Sequence, residues 1–317
     1  MSAGAYKWAG VSLSSGCKMP CLGFDELFRW ADASRLAVPI AVAGGADITV
    51  LEALRVACDR GWVKPTVVGR ETELRRVAEQ GGIDLGGFAL VDAEQEAEAA
   101  VAEVRAGRAH MLMKGQIATP ELMKAVLDPA SGLRTGRVIC QVVLMEILPA
   151  KRTFLMADTG VTIHPDLKKK AEIVRNTVTV AHALGEPRPR VALLAATEKV
   201  VESMPETFDA SELVRRASAG EFPGCTLQGP LSFDLAYAAD AADKKHVGGD
   251  VAGAADAMVF PNLVSANLTV KAIMYTAACQ FGGVLMGASQ PVVFMSRADT
   301  RETRLRSLAL GLRLVGA

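Results

Sequence analysis

Short apolar runs alternate with longer amphipathic stretches from Pro39 onward. "PIAVAGG" ends in glycines, and the apolar spacing of "ADITVLEALRVACDRG" after it predicts a helix. The pair recurs as "PTVVG" before "RETELRRVAEQGG", "FALVD" before "AEQEAEAAVAEVRAG", and "AHMLMKG" before "TPELMKAVLD". Strands that alternate with helices in this way predict an α/β fold built on a mostly parallel sheet covered by helices.

A second half begins near Leu133. "VICQVVLMEI", "RTFLMAD", "RVALLAAT" and "DAMVFP" read as strands. Leu167, Ala171, Val174, Val178 and Ala181 recur at steps of four and three, which predicts a helix, with Gly185 and then Pro187 as its stop. A long helix is expected from about Asn267 to Phe281. The strand segment "VLMGASQPVVFMSR" and the helix "TRETRLRSLALGLRL" finish the chain. No fixed-period repeat is present, and residues 1–35 carry the weakest pattern.

The chain has 317 residues, half of them hydrophobic, more than one typical core needs, so two domains are expected. Lys plus Arg and Asp plus Glu balance at 35 each, which argues against a nucleic-acid-binding surface. The six cysteines fit neither a zinc site nor a disulfide framework, and the four histidines are scattered, so no metal is expected. The most apolar long segment is broken by Lys271, Gln280 and a glycine pair, and no signal peptide is read at the start. A cytoplasmic protein with no membrane or nucleic-acid partner is therefore expected.

Ligands of open α/β sheets bind beyond the carboxyl ends of the strands. Lys114, Asp158, Thr197, Glu198, Ser296 and Arg297 all stand at such ends. A guanidinium at 297 matches phosphate or carboxylate with two parallel hydrogen bonds, or else pairs with Asp299. Ser296 presents a hydroxyl, or caps the next helix. Lys114 with Gly115 offers a cation and close backbone approach, or is a plain strand-end lysine. "AVAGG" before Ala46–Asp47 resembles a phosphate-binding turn but lacks the dinucleotide glycine spacing. The segment from Leu227 to Tyr275 sets Gly229, Pro230, Asp234, Lys245, Asn262, Asn267 and Lys271 among small residues, where a long ligand can lie along the backbone. Each also has a structural use, Asp234 as a helix cap and Lys245 as a solvated charge.

"MKGQIATPELMKAVL", "MADTGVTIHPDLKKKAEIVRNTV", "GPLSFDLAYAADAADKK", "VAGAADAMVFPNLVSANLTVKAIMY" and "GASQPVVFMSRADT" together resemble the phosphate acyltransferases, the phosphate acetyltransferase and butyryltransferase family, nearer the butyryltransferase branch. The resemblance implies a two-domain fold like that of isocitrate and isopropylmalate dehydrogenases, with the site in an interdomain cleft. The first domain would hold residues 1–134 and 285–317, the second 135–284. It implies a homodimer or larger assembly. The implied reaction turns a short-chain acyl-CoA and phosphate into acyl phosphate and CoA, by direct transfer and without metal or redox cofactor.

Carried over by position, the resemblance implies catalytic roles for Ser296 and Arg297. Arg297 would hold phosphate and the developing negative charge, and Ser296 would hydrogen-bond the thiol or carbonyl. It implies substrate binding by Lys114, Gly115, Thr119, Asp158, Gly229, Pro230, Asp234, Lys245, Asn262, Asn267 and Lys271. The sequence departs from relatives at three positions. Thr303 stands where the acetyltransferase branch has an acidic residue, which leaves Glu302 or Asp299 as the nearby carboxylate; Glu302 is taken as the catalytic one. Thr162 replaces a common Asn, and Ala254 a common Arg. These departures raise a non-catalytic acyl-CoA- or acyl-phosphate-binding homologue as the alternative. A metal- and NAD-dependent dehydrogenase rests on fold analogy alone.

Overall fold

The buried runs VPIAVA (β1, Val38–Ala43) and MLMK (β4, Met111–Lys114) lie side by side as parallel strands. They belong to a computed structural model that describes residues 22–294 and 296–316. Cys17, Cys21 and Met295 lie outside the described residues.

The first half runs α1 (Phe24–Ser34), β1, α2 (Ile48–Asp59), β2 (Val63–Gly69), α3 (Glu71–Gly81), β3 (Ala89–Asp92), α4 (Glu96–Arg105), β4 and α5 (Thr119–Leu127). The chain continues through β5 (Cys140–Ile147), β6 (Arg152–Ala157), α6 (Leu167–Ala183), β7 (Arg190–Leu194), α7 (Pro205–Ser218), β8 (Thr226–Leu231), α8 (Phe233–Tyr237), α9 (Ala239–Lys244), β9 (Ala257–Val259) and α10 (Leu263–Thr276). It closes with β10 (Cys279–Met286), β11 (Val292–Val293) and α11 (Arg301–Val315).

The described strands form one 11-stranded sheet in the order β3-β2-β1-β4-β11-β10-β5-β6-β9-β7-β8. Pairings are parallel except β5 with β6 and β10 with β5 and β11. Helices bury their apolar stripes on both faces, so the central strands carry unbroken apolar runs.

The chain leaves β1 outward to β2 and β3, then returns to β4 on the other side of β1, so the strand order reverses between β1 and β4. Late in the chain β11 pairs with β4, and α11 packs on α1 and α2. The last strand and helix thus rejoin the first half.

The helix expected from Asn267 to Phe281 is shorter and earlier. It starts at Leu263, one residue after Asn262, whose Oδ1 accepts from the Ser265 amide at 2.9 Å, and it stops at Thr276. Ala277 turns extended (φ −111°, ψ 150°), and Phe281 belongs to β10. No glycine or proline marks that stop. The glycine pair serves packing instead: a Cβ on Gly282 would stand 3.0 Å from the Arg306 carbonyl carbon, and the Gly283 amide donates to Ser307 Oγ at 2.9 Å. Backbone therefore meets backbone where α11 crosses β10.

Among the described residues no helix is long and apolar enough to cross a membrane.

Candidate active site

The ends of β1 and β4 are joined by two backbone bonds, Gly115 N to Ala43 O at 2.8 Å and Gln116 N to Gly44 O at 2.7 Å. A Cβ on Gly115 would stand 2.0 Å from the Gly44 carbonyl oxygen, so only glycine lets these ends close together. Gly44 itself turns at φ +75°. Asp47 then caps α2, accepting from the Val50 amide at 3.1 Å and from Thr49 Oγ1 at 2.6 Å.

Arg304 reaches this corner from α11. Its Nε donates to Thr49 Oγ1 at 3.1 Å, which links it through Thr49 to Asp47. The residue is 0% exposed, and its two terminal guanidinium nitrogens have no hydrogen-bond partner among the described residues. Lys114 ends β4 at 1% exposure, and its Nζ makes one long contact, 3.4 Å to the Gly115 carbonyl. Burial pushes the Lys114 ammonium down to about 8, the charges of Arg304 and Arg297 push the same way, and Asp299 opposes them. Burial also lowers the Arg304 guanidinium, against the pull of Asp47 and Asp299.

A cleft of about 260 Å³ opens beside this corner, lined among others by Thr119, Gln141, Asn267, Lys271, Ser296 and Asp299. Ser296 and Asp299 share a turn ahead of α11. The Ser296 amide donates to Asp299 Oδ2 at 2.7 Å, and the Ala298 amide donates to Ser296 Oγ at 3.3 Å. The Ser296 hydroxyl proton has no acceptor among the described residues. Burial raises the Asp299 carboxyl, opposed by that amide and by Arg304 and Lys114. A larger hollow of about 660 Å³ lies against α3. It stands apart from the strand ends, and its Glu71 and Arg75 already pair with each other at 2.6 Å.

Asp158 shapes one wall from below. Its carboxylate accepts from the amides of Gln141 (2.9 Å), Gly160 (3.0 Å), Val161 (3.1 Å) and Thr162 (2.7 Å), so it organises the loop after β6. Burial raises its carboxyl despite these donors. Asn267 Nδ2 ties α10 to the same loop at the Thr159 carbonyl, 3.1 Å away.

Of the residues singled out from sequence, Thr119, Asn267, Lys271 and Ser296 line the cleft, with Lys114 and Gly115 at the adjoining strand end. Arg297 is exposed and is not among the residues lining the cleft, but its charge acts on Lys114. Glu302 is also exposed and pairs with Arg301 at 2.8 Å. Its own backbone amide, then Arg301, hold its carboxyl below the usual range. Asp299, not Glu302, is the carboxylate facing the cleft.

Gly229, Pro230, Asp234 and Lys245 sit on β8, α8 and just after α9, at the far edge of the sheet and away from this cleft. Asp234 and Lys245 pair there at 2.9 Å. Asn262 serves as a helix cap. Thr303 is buried and faces the Thr300 hydroxyl at 3.2 Å. Among the described residues no group of three or more His, Cys, Asp or Glu is arranged to hold a metal ion.

Sequence reasoning passed over Arg304. The available signal was its place on the apolar face of the last helix, one turn before Leu308, while Arg301 and Arg306 take other faces.

Residues 94–311 match the family model described as "Phosphate acetyl/butaryl transferase". A phosphate butyryltransferase of Clostridium acetobutylicum is 38% identical over 280 residues, covering 87% of this chain and 93% of that protein. A phosphate acetyltransferase of Rhizobium meliloti is 38% identical over 290 residues, covering 90% of this chain and 92% of that protein. Among solved structures, a branched-chain phosphotransacylase from Enterococcus faecalis V583 superposes with a TM-score of 0.77 at 30% identity, covering 88% of this chain and 99% of that one. A 4-hydroxythreonine-4-phosphate dehydrogenase from Burkholderia phymatum shares the fold alone, at TM-score 0.52 and 16% identity. With a family match over residues 94–311 and relatives of this similarity along nearly its whole length, the chain belongs to the phosphate acetyl- and butyryltransferase family.

Proposed function

We propose that this chain is a phosphate acyltransferase that converts a short-chain acyl-CoA, acetyl to butyryl, and phosphate into acyl phosphate and CoA. The family match carries the reading. A cleft that sets Ser296 and Asp299 beside two buried cations supports it physically.

In the proposed reaction a phosphate oxygen attacks the thioester carbonyl within a ternary complex. The new C–O bond forms, the C–S bond breaks, and CoA leaves as a thiolate. The proton of the attacking hydrogen phosphate passes to Asp299 and from there to the thiolate sulfur, which closes the balance. A carboxyl whose proton affinity burial raises suits both halves of that relay. The Ser296 hydroxyl, uncommitted among the described residues, donates to the carbonyl oxygen as charge develops there. Asn267 and Lys271 on α10 hold the acyl-CoA, and Thr119 at the start of α5 also lines the cleft. Holding both substrates in one cleft supplies much of the remaining acceleration. No covalent acyl-enzyme, metal or redox cofactor takes part.

The reading includes two lobes arranged as in isocitrate and isopropylmalate dehydrogenases, a homodimer, and a cytoplasmic location. It is tested by mixing purified protein with acetyl-, propionyl- or butyryl-CoA and phosphate and following free thiol. Phosphate-dependent thiol release is expected; its absence with all three acyl-CoAs would defeat the reading.

A further inference from the structure

Building on the acyltransferase reading, we propose that Lys114 and Arg304 form the seat of the phosphate, at the point between β1 and β4 where the strand order reverses. Three observations carry this. Arg304 is wholly buried, yet both of its terminal nitrogens lack a hydrogen-bond partner among the described residues. Lys114 is buried beside it with only a 3.4 Å contact to a carbonyl. Gly115, next to Lys114, lies directly against the backbone of Ala43 and Gly44, so backbone borders the corner there.

Two desolvated cations near each other are costly to fold around, and buried charges in proteins are normally paired. Asp299 and Asp47 carry the negative charges that act on Arg304, but neither forms an ion pair with it. Asp299 is held by the Ser296 amide, and Asp47 caps α2. Thr49 fixes the Nε of Arg304 and leaves the guanidinium edge free, the edge that grips two oxygens of a tetrahedral anion. A dianion there satisfies that edge and the ammonium together. It also sits beside Asp299, the group that takes its proton. The strand-order reversal is where open α/β sheets bind ligands.

Initial rates of thiol release are measured against phosphate for wild type, R304M, R304K and K114M. R304M is expected to raise the KM for phosphate at least tenfold and to leave the KM for acyl-CoA within twofold. R304K, which keeps the charge and loses the fork, falls between. Inorganic phosphate alone should raise the melting temperature of wild type but not of R304M. If R304M does not fold, K114M gives the same two readouts. Folded R304M or K114M with unchanged phosphate KM and an unchanged phosphate-induced melting shift would overturn the assignment. If wild type releases no thiol at all, the acyltransferase reading fails, while the melting shift still reports on the seat.

Discussion

Replacing Lys114 by Met should make the phosphate-free protein more stable and the enzyme worse. Met keeps the apolar stem and removes the charge. The fall of the ammonium from 10.5 to about 8 corresponds to roughly 3 kcal/mol spent on holding it charged in the fold. The folded value lies below the unfolded one, so this cost is fully present below about pH 8 and fades as pH rises toward 10.5. Urea unfolding in phosphate-free buffer should therefore show K114M ahead by about 3 kcal/mol at pH 7 and by roughly half that at pH 9.5. The slope of unfolding with urea should stay the same. Phosphate at about a thousand times its dissociation constant should then reverse the order, since it stabilises wild type by about 4.1 kcal/mol and does little for the variant. A K114M protein no more stable than wild type at pH 7, or an advantage that does not shrink with pH, would refute the reasoning.

The two carboxylates near α11 should separate cleanly. D299N keeps an acceptor for the Ser296 amide, so its melting temperature should barely move while kcat falls about 10²- to 10⁴-fold. E302Q, at an exposed residue ion-paired with Arg301, should stay within about twofold of wild type by initial rates. Reversed results would make Glu302 the proton carrier. G115A would push a methyl group to 2.0 Å from a backbone oxygen, with no flexible side chain to yield. A loss of about 3 kcal/mol by thermal or urea unfolding is expected, and an unperturbed stability would show that the two strand ends are freer than described.

The elements whose burial is symmetrical were the legible ones. β1 and β4 announce themselves as unbroken apolar runs because helices cover both faces, and α2 announces its start through Asp47, whose cap is a local event. The end of α10 was not legible, because the apolar run continues through Ala277 and Ala278 into β10 without a breaker. Its stop is set by pairing of Cys279–Met286 with β5, a contact between residues more than a hundred positions apart. The site divides the same way. Lys114 and Ser296 could be marked because strand ends are local features. Arg304 could not be weighed, because its meaning lies in what it lacks: a counter-charge that would have to come from Asp47, Asp299 or elsewhere in a three-dimensional neighbourhood. Arg297, prominent in the sequence, is exposed in the turn before α11, and its charge acts on Lys114.

β10 is the one described strand that hydrogen-bonds to both β11, on the side of Lys114 and Arg304, and β5, on the side of Gln141, Asn267 and Lys271. On the proposed assignment the anion and the thioester dock on opposite banks of a single ribbon. On that assignment, replacements along α10 should change the preference for acyl tails and leave the KM for phosphate unchanged. Fuel preference and nucleophile affinity become separate dials, which a lineage can turn one at a time.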